Sequence, residues 1–77
     1  MKPIHFSKIF KEIMADDEYN RLIIIFSDKD NTLNINKKFI KYHSIDNGIL
    51  TIVGGVSGNK FYIDIEKIVF LKLEKQV

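Results

Sequence analysis

The spacing of apolar residues along the chain changes near Asn20, from a helical period to a strand period. Before that point, apolar side chains recur at offsets of three and four, with charged residues between them, at Phe6, Ile9, Phe10, Ile13 and Met14. This spacing predicts an amphipathic helix over about residues 3–15, with Pro3 in its first turn. Negative charge is unfavourable at a helix C-terminus, so we expect the acidic residues 16–18 to lie in a solvated loop.

After Asn20, β-branched and aromatic residues dominate and apolar positions tend to alternate. We predict about five short antiparallel strands, at about residues 21–27, 32–45, 49–54, 60–65 and 68–73. The parity of the alternation changes near Lys37 and Lys38, which indicates a bend in the second strand. The "DNG" at residues 46–48 predicts a tight hairpin turn before the third strand.

These elements predict one domain over residues 1–77, α+β but mostly β, whose strands form a small barrel or a strongly bent sheet. Alternation in the fourth strand directs Phe61, Ile63 and Ile65 inwards. The first and last strands are apolar on both faces, so we expect the apolar face of the helix to cover part of the outer surface. That face consists of Ile9, Phe10, Ile13 and Met14. Whatever stays bare would be an apolar patch that favours self-association.

Composition narrows the class of protein. The 77 residues allow only a small core, because a domain of this size buries about 60% of its unfolded-chain surface. Cysteine is absent, which excludes disulfides and cysteine-ligated metals and is compatible with a reducing cytoplasm. No apolar run approaches the roughly 20 residues that span a bilayer, so we expect a cytoplasmic protein without a membrane partner. The formal charge of +2 is only a weak bias towards anionic partners.

Two stretches have features of ligand-binding loops. Residues 54–62, "GGVSGNKFY", contain glycines and a lysine, but the lysine comes one position too late for a phosphate-binding loop and a strand follows where a helix is needed. We therefore predict a hairpin there, with an incidental anion contact through Ser57, Asn59 and Lys60 as the alternative. Residues 28–34, "DKDNTLN", lack the glycine and the final glutamate of a calcium loop, so we predict a solvated turn.

The inventory of catalytic groups is poor. His5 and His43 lie on different predicted elements and have no neighbouring third ligand, so we expect no metal site. None of the serines has sequence support for a base and an orienting group. We therefore predict no enzymatic activity and no cofactor.

The segment "NKKFIKYH", residues 36–43, combines cations that can neutralise phosphates with aromatic rings on which bases can stack. The same alternation is typical of an edge strand whose lysines face solvent, so both interpretations stay open. A nucleic-acid surface usually needs more cations than one strand supplies, unless an oligomer repeats it. The candidate nucleic-acid residues are Lys37, Lys38, Lys41, Tyr42, His43 and Lys60.

The order of one helix and five strands over about residues 3–73, with a hairpin turn in the middle, resembles the Sm-like (SH3-like) small barrel and especially its bacterial RNA-chaperone branch. The resemblance is one of element order. There is no glycine between Arg21 and Asn47, where the Sm pattern has them, and Tyr62 is followed by Ile63 and Asp64 instead of lysine and histidine. The resemblance therefore implies a shape and carries over no RNA-binding residue.

Two functions follow from these observations. The first is a non-enzymatic binding protein that docks on a larger protein, like the small inhibitors and adaptors that phages and mobile elements encode. Its candidate contact residues are Phe10, Met14, Asp16, Asp17 and Glu18. The alternative is a Sm-like homo-oligomer that binds RNA, single-stranded DNA or a nucleotide. The near-balanced charge favours the first function, and a small molecule held between subunits stays open.

Overall fold

A computed structural model describes residues 1–28, 31–54 and 58–75 as an N-terminal helix followed by six strands. The elements are α1 (Pro3–Ala15), β1 (Arg21–Phe26), β2 (Thr32–Asn36), β3 (Ile40–Asp46), β4 (Ile49–Gly54), β5 (Asn59–Asp64) and β6 (Ile68–Glu74). Two 3-10 turns, Lys37–Phe39 and Ile65–Lys67, separate β2 from β3 and β5 from β6. The mostly β fold with an N-terminal helix is confirmed, with one strand more than expected.

The strands form two three-stranded antiparallel sheets. Sheet 1 has the order β2-β1-β6, and sheet 2 has the order β3-β4-β5. Within residues 1–28, 31–54 and 58–75, no strand pairing joins the two sheets. These pairings therefore make two sheets over a shared core and do not form a closed barrel.

The bend predicted near Lys37 and Lys38 is a corner at which the chain changes sheets. The side chain of Asn36 accepts a hydrogen bond from the backbone N–H of Lys38 at 3.0 Å, which stabilises the 3-10 turn after β2. Asp64 does the same for the N–H of Glu66 at 3.1 Å, where the chain returns to sheet 1. Short polar side chains hold such local turns well, so the predicted second strand divides into β2 and β3.

The helix covers the inner faces of the two sheets. The expectation that its apolar face covers part of their outer surface is wrong. Phe6, Phe10 and Ile13 belong to the same buried cluster as the inward residues of both sheets. The rings of Phe6 and Phe10 stack with their centroids 5.3 Å apart. In so small a core, burying these two large rings contributes more to stability than covering the outer surface would. Ile9 remains 39% exposed. The outer face of sheet 1 thus lacks the cover that the sequence suggested.

The core lies between the inner faces of the sheets and the helix. Its buried residues are Phe6, Phe10, Ile13, Leu22, Ile24, Leu50, Ile52, Ile63, Ile65 and Ile68. Ile63 and Ile65 face inwards as predicted, whereas Phe61 shares their face but is partly exposed. Burial of one such side chain contributes about 1.5–3 kcal/mol, so few of them are dispensable in a domain of this size.

Two glycines are required by the backbone path. Asn47 and Gly48 have φ values of 51° and 76°, which make the two-residue hairpin turn predicted between β3 and β4. Gly54, at the end of β4, has a different role. A Cβ atom built on Gly54 would lie 2.6 Å from the carbonyl oxygen of Phe39, so the corner after β2 passes directly over this glycine.

Candidate binding surfaces

The outer face of sheet 1 carries an apolar patch, which we define as Ile23, Ile25, Val69 and Phe70. Ile23 and Ile25 alternate with the buried Leu22 and Ile24 and therefore point away from the core. Phe70 pairs with Ile25 across the β1–β6 ladder and shares its face. Val69 and Phe70 are 55% and 49% exposed.

The apolar patch continues to the edge of sheet 1. β6 pairs with β1 on one side, and among the described residues no strand pairs with its other side. The register between the two strands shifts at Ile25 and Phe26, which leaves Val69 outside the register pairs. Native edge strands are usually guarded by charge, and in β6 the charged residues Lys72 and Glu74 lie only in its second half. Its first half thus offers apolar side chains at a sheet edge.

The outer face of sheet 2 has a different chemistry. Tyr42 and Lys60 both lie opposite Val53, and Tyr62 lies opposite Thr51 in the next row, so the three side chains share one face across β4. Tyr42 is 58% exposed and Tyr62 is 68% exposed. We call Tyr42, Lys60 and Tyr62 the tyrosine platform.

Lys60 is the cationic centre of the tyrosine platform. Its Nζ atom lies 5.2 Å from the centroid of the Tyr62 ring, within the range of a cation–π interaction. A hydrogen bond with the Tyr62 side chain raises the pKa of Lys60, and the charge interactions with Tyr62 and Tyr42 raise it further. A lysine is protonated at neutral pH even at its ordinary pKa, so Lys60 presents a positive charge beside the Tyr62 ring.

The structure divides the candidate nucleic-acid residues among three places. Tyr42 and Lys60 come together on the tyrosine platform, and the exposed Lys41 precedes Tyr42 in the chain. Lys38 is exposed at the corner after β2, whereas Lys37 donates a hydrogen bond from Nζ to the backbone carbonyl of Asp16. His43 lies on the opposite face from Tyr42.

His43 interacts with the helix. Its ring meets the Phe10 ring edge to face at 5.1 Å between centroids. Sequence reasoning did not propose Tyr62 as a binding residue, although the alternation in "KFYIDI" directs it away from Ile63 and into solvent. The alternation in β5 thus indicated that Tyr62 is exposed. Its position on the same face as Lys60 and Tyr42 follows only from the pairing of β3, β4 and β5.

The candidate protein-contact residues lie at and after the end of the helix. Phe10 is 2% exposed and belongs to the core, so it cannot touch a partner unless the domain opens. Met14 is half-buried against the core. Asp16 ends the helix as predicted, and its carboxylate accepts a hydrogen bond from the N–H of Glu18 at 3.0 Å. Glu18 also forms an exposed ion pair with Lys75 at 3.8 Å.

A surface cleft joins the acidic turn to the corner after β2. Its volume is about 290 Å³, and its lining residues are Met14, Asp16, Asp17, Tyr19, Asn20, Lys37 and Lys38. The cleft thus brings residues from both predicted sets together. Because two acids face two lysines across it, the cleft does not present the uniform positive potential that phosphates favour.

The predicted loops can be placed only in part. The stretch 54–62 begins at the end of β4 and continues into β5, and Gly54 pairs with Asn59 across these antiparallel strands, as the hairpin prediction requires. Gly58 has a φ of 71°. Ser57, one member of the alternative anion contact, lies outside the described residues, as do residues 29–30 of the stretch compared with a calcium loop. Within the described ranges there is no group of three or more histidine or acidic side chains that could hold a metal.

A smaller apolar cavity opens beside Gly54. It has a volume of about 190 Å³, and its lining residues include Leu33, Ile35, Phe39, Ile52 and Phe61. Phe39 and Phe61 are partly exposed at its mouth. A small apolar ligand in this cavity would contact both rings and the aliphatic side chains of Leu33, Ile35 and Ile52.

Comparison with known proteins does not add to these surfaces. In the described part of the chain, no helix has the length and apolar character needed to cross a membrane. No family model matches the chain, and no match was found among the curated proteins or the solved structures.

Proposed function

We propose that this protein is a non-enzymatic binding protein that docks on a larger protein through the apolar patch on the outer face of sheet 1. The observation that carries the proposal is the exposure of Val69 and Phe70, at 55% and 49%, beside the outward-facing Ile25. Contiguous exposed apolar side chains on a small domain are typical of interfaces, because water is a poor solvent for them.

The apolar patch has the composition of an interface centre. A standard interface covers about 800 Å² on each partner, which is roughly one seventh of the 5487 Å² surface of the described chain. A few large side chains dominate the affinity of such interfaces, and charged groups lie at their rims. Phe70 would be the anchor, with the ion pair of Lys72 and Glu74, 3.6 Å apart, at the rim.

The dispersed ionisable groups support a non-enzymatic role. Catalytic acids and bases are commonly desolvated so that their pKa values suit the reaction. In residues 1–28, 31–54 and 58–75, no polar or charged side chain is buried. The proposal keeps the class of small inhibitor or adaptor expected from the sequence, and it takes a reducing cytoplasm as the compartment because cysteine is absent.

The acidic turn remains a predicted second contact. Asp17 and Glu18 are exposed, and Met14 lines the adjacent cleft. Their role in docking would be that of a charged rim, which steers association more than it holds the complex.

We also propose that the two sheets are halves of a small Sm-like barrel that assembles into a homo-oligomer. Both 3-10 turns pass the chain from one sheet to the other, as corners do in small barrels. Light scattering coupled to size exclusion tests the oligomer. A mass of several 9.0 kDa copies supports it, and the mass of a single copy contradicts it.

Site-specific photo-crosslinking in the cell of origin tests the docking proposal. A photoreactive phenylalanine analogue at position 70 is expected to form one major adduct with a larger protein. The control is the same analogue at position 11, on the exposed side of α1, which is expected to form little of this adduct. The purified partner should then bind Phe70→Ser at least about tenfold more weakly than the unchanged protein.

Three results would contradict the docking proposal. Adducts that contain only a second copy of this chain would replace docking by self-association. Equal adducts at positions 70 and 11 would show non-specific contact. Unchanged affinity of Phe70→Ser for the purified partner would remove the apolar patch from the interface.

A further inference from the structure

The tyrosine platform has a feature that the proposed docking on sheet 1 does not use. Its two rings stand on the outer strands of sheet 2, β3 and β5, with Thr51 and Val53 on the central strand between them. Thr51 and Val53 are small and half-buried, so the rings of Tyr42 and Tyr62 rise above them. Strands lie about 4.8 Å apart, which places the two tyrosine backbones about 10 Å apart across the sheet.

Charge is distributed unevenly along this face. At one end, Lys60 lies in the same row as Tyr42. The exposed Lys41 precedes Tyr42 at the point where the β3–β4 register shifts, and it lies outside the register pairs. At the other end, next to the hairpin turn, Asp46 and Asp64 both lie opposite Ile49. Tyr42 therefore lies in the cationic row, whereas Tyr62 lies in the middle row, between Lys60 on one side and Asp64 on the other. An anionic ligand would be favoured only at the Tyr42 end of the face.

We propose that the tyrosine platform binds single-stranded nucleic acid, with bases stacked on Tyr42 and Tyr62 and phosphates paired with Lys60 and Lys41. Tyrosine faces stack on any base, and a single strand exposes base faces that a duplex conceals. The Lys60 ammonium group beside the Tyr62 ring supplies charge that a backbone phosphate requires. The combination of two rings and the Lys60 ammonium group on one face favours this ligand over an apolar protein surface, which would gain nothing from Lys60.

The position of Lys60 beside the Tyr62 ring supports this assignment. The Nζ atom of the exposed Lys60 lies 5.2 Å from the centroid of the Tyr62 ring. A phosphate next to a base stacked on Tyr62 would find this cation already in position. Pre-positioned groups cost less conformational entropy on binding than free side chains do.

Fluorescence anisotropy with labelled oligouridylate and oligodeoxythymidylate of about ten nucleotides tests the proposal on the full chain. We expect both strands to bind, and a hairpin duplex of similar length to bind several-fold more weakly. Two phosphate contacts predict that affinity falls about sevenfold between about 50 and about 200 mM salt. Preference for one of the two single strands would identify whether RNA or DNA is the ligand.

Matched variants separate stacking from other contacts. Tyr62→Ala and Tyr42→Ala should each weaken binding by about tenfold, because one stacked base is lost. Tyr62→Phe keeps the ring and should stay within about threefold of the unchanged protein. Lys60→Gln should reduce the slope of log affinity against log salt by about 0.7, whereas Lys72→Gln on sheet 1 should leave it unchanged.

The test distinguishes failure of this proposal from failure of the docking proposal. Phe70→Ser changes only the apolar patch and should leave oligonucleotide affinity unchanged. Absence of binding to either single strand at low salt would overturn the nucleic-acid assignment, as would equal losses in Tyr62→Ala and Tyr62→Phe. If the platform variants weaken only the protein partner cross-linked at position 70, the platform belongs to the protein interface and the proposal fails.

Discussion

The two sheets have the same number of strands and the same antiparallel pairing, but their outer faces differ in chemistry. Sheet 1 presents Ile23, Ile25 and Phe70 to solvent, whereas sheet 2 presents Tyr42, Lys60 and Tyr62. Their inner faces are alike, because both contribute aliphatic residues to one core. The inner face of each strand serves folding, and the outer face is free to serve binding.

This comparison shows how a period of two assigns separate tasks to one strand. In β1, Leu22 and Ile24 are fully buried, while Ile23 and Ile25 between them point outwards. In β5, Ile63 is buried and its neighbour Tyr62 is exposed. A substitution at an outer position should therefore alter one surface alone, and a substitution at an inner position should affect both.

The largest effect is expected from Leu50→Ala in the shared core. Leu50 is fully buried on β4, so removing its side chain should lower the free energy of unfolding by about 2–5 kcal/mol. Urea unfolding followed by circular dichroism measures this loss. Val69→Ala, at an exposed position, is the control and should change stability by less than about 0.5 kcal/mol. Loss of binding at one sheet only would show that the sheets fold independently, against the single core described above.

A smaller effect is expected from Gly54→Ala at the corner between the sheets. The new Cβ would lie 2.6 Å from the Phe39 carbonyl oxygen, and backbone must move to make room, at a cost of about 1–3 kcal/mol. Gly58→Asn is the matched control, because Gly58 has a positive φ that asparagine tolerates and open space around it. An unchanged urea midpoint for Gly54→Ala would contradict the close approach of the corner to β4.

The smallest effect is expected from charge reversal in the acidic turn. Asp17→Lys with Glu18→Lys should leave stability nearly unchanged, because surface ion pairs such as that of Glu18 with Lys75 contribute about 0–1 kcal/mol. The double variant should slow association with the protein partner and change its dissociation rate little. Surface plasmon resonance separates the two rates. A large rise in the dissociation rate would move the centre of the interface from the apolar patch to this turn.

The sequence predicted local structure well where the deciding interaction is local. Pro3 begins the helix because its fixed φ suits the first turn, and Asp16 follows its end because negative charge is unfavourable at a helix C-terminus. Asn47 and Gly48 form the hairpin turn because both tolerate positive φ. The change of parity near Lys37 correctly located a bend. The hydrogen bond from the N–H of Lys38 to the Asn36 side chain, which divides the strand in two, could not be predicted from the spacing of apolar residues.

Features that depend on tertiary placement were harder to predict. The predicted hydrophobic face of the helix was correct, but the spacing of apolar residues cannot tell which side of a sheet that face covers. Phe10 was therefore predicted to contact a partner, whereas it lies in the core. The pairing of Lys60 with Tyr42 and Tyr62 needed the register of three strands. Lys37 and the acidic turn are far apart in sequence, and their contact at Asp16 follows only from the fold.

The most direct test of whether the two outer faces bind different ligands uses one variant of each face and both ligands. Affinities of Phe70→Ser and Tyr62→Ala are measured for the cross-linked protein partner and for the labelled oligonucleotide, with circular dichroism as the check of folding. We expect Phe70→Ser to lose about tenfold in affinity for the protein partner alone, and Tyr62→Ala to lose about tenfold in affinity for the oligonucleotide alone. If both folded variants weaken both ligands, the two outer faces are parts of one site and the central claim is wrong.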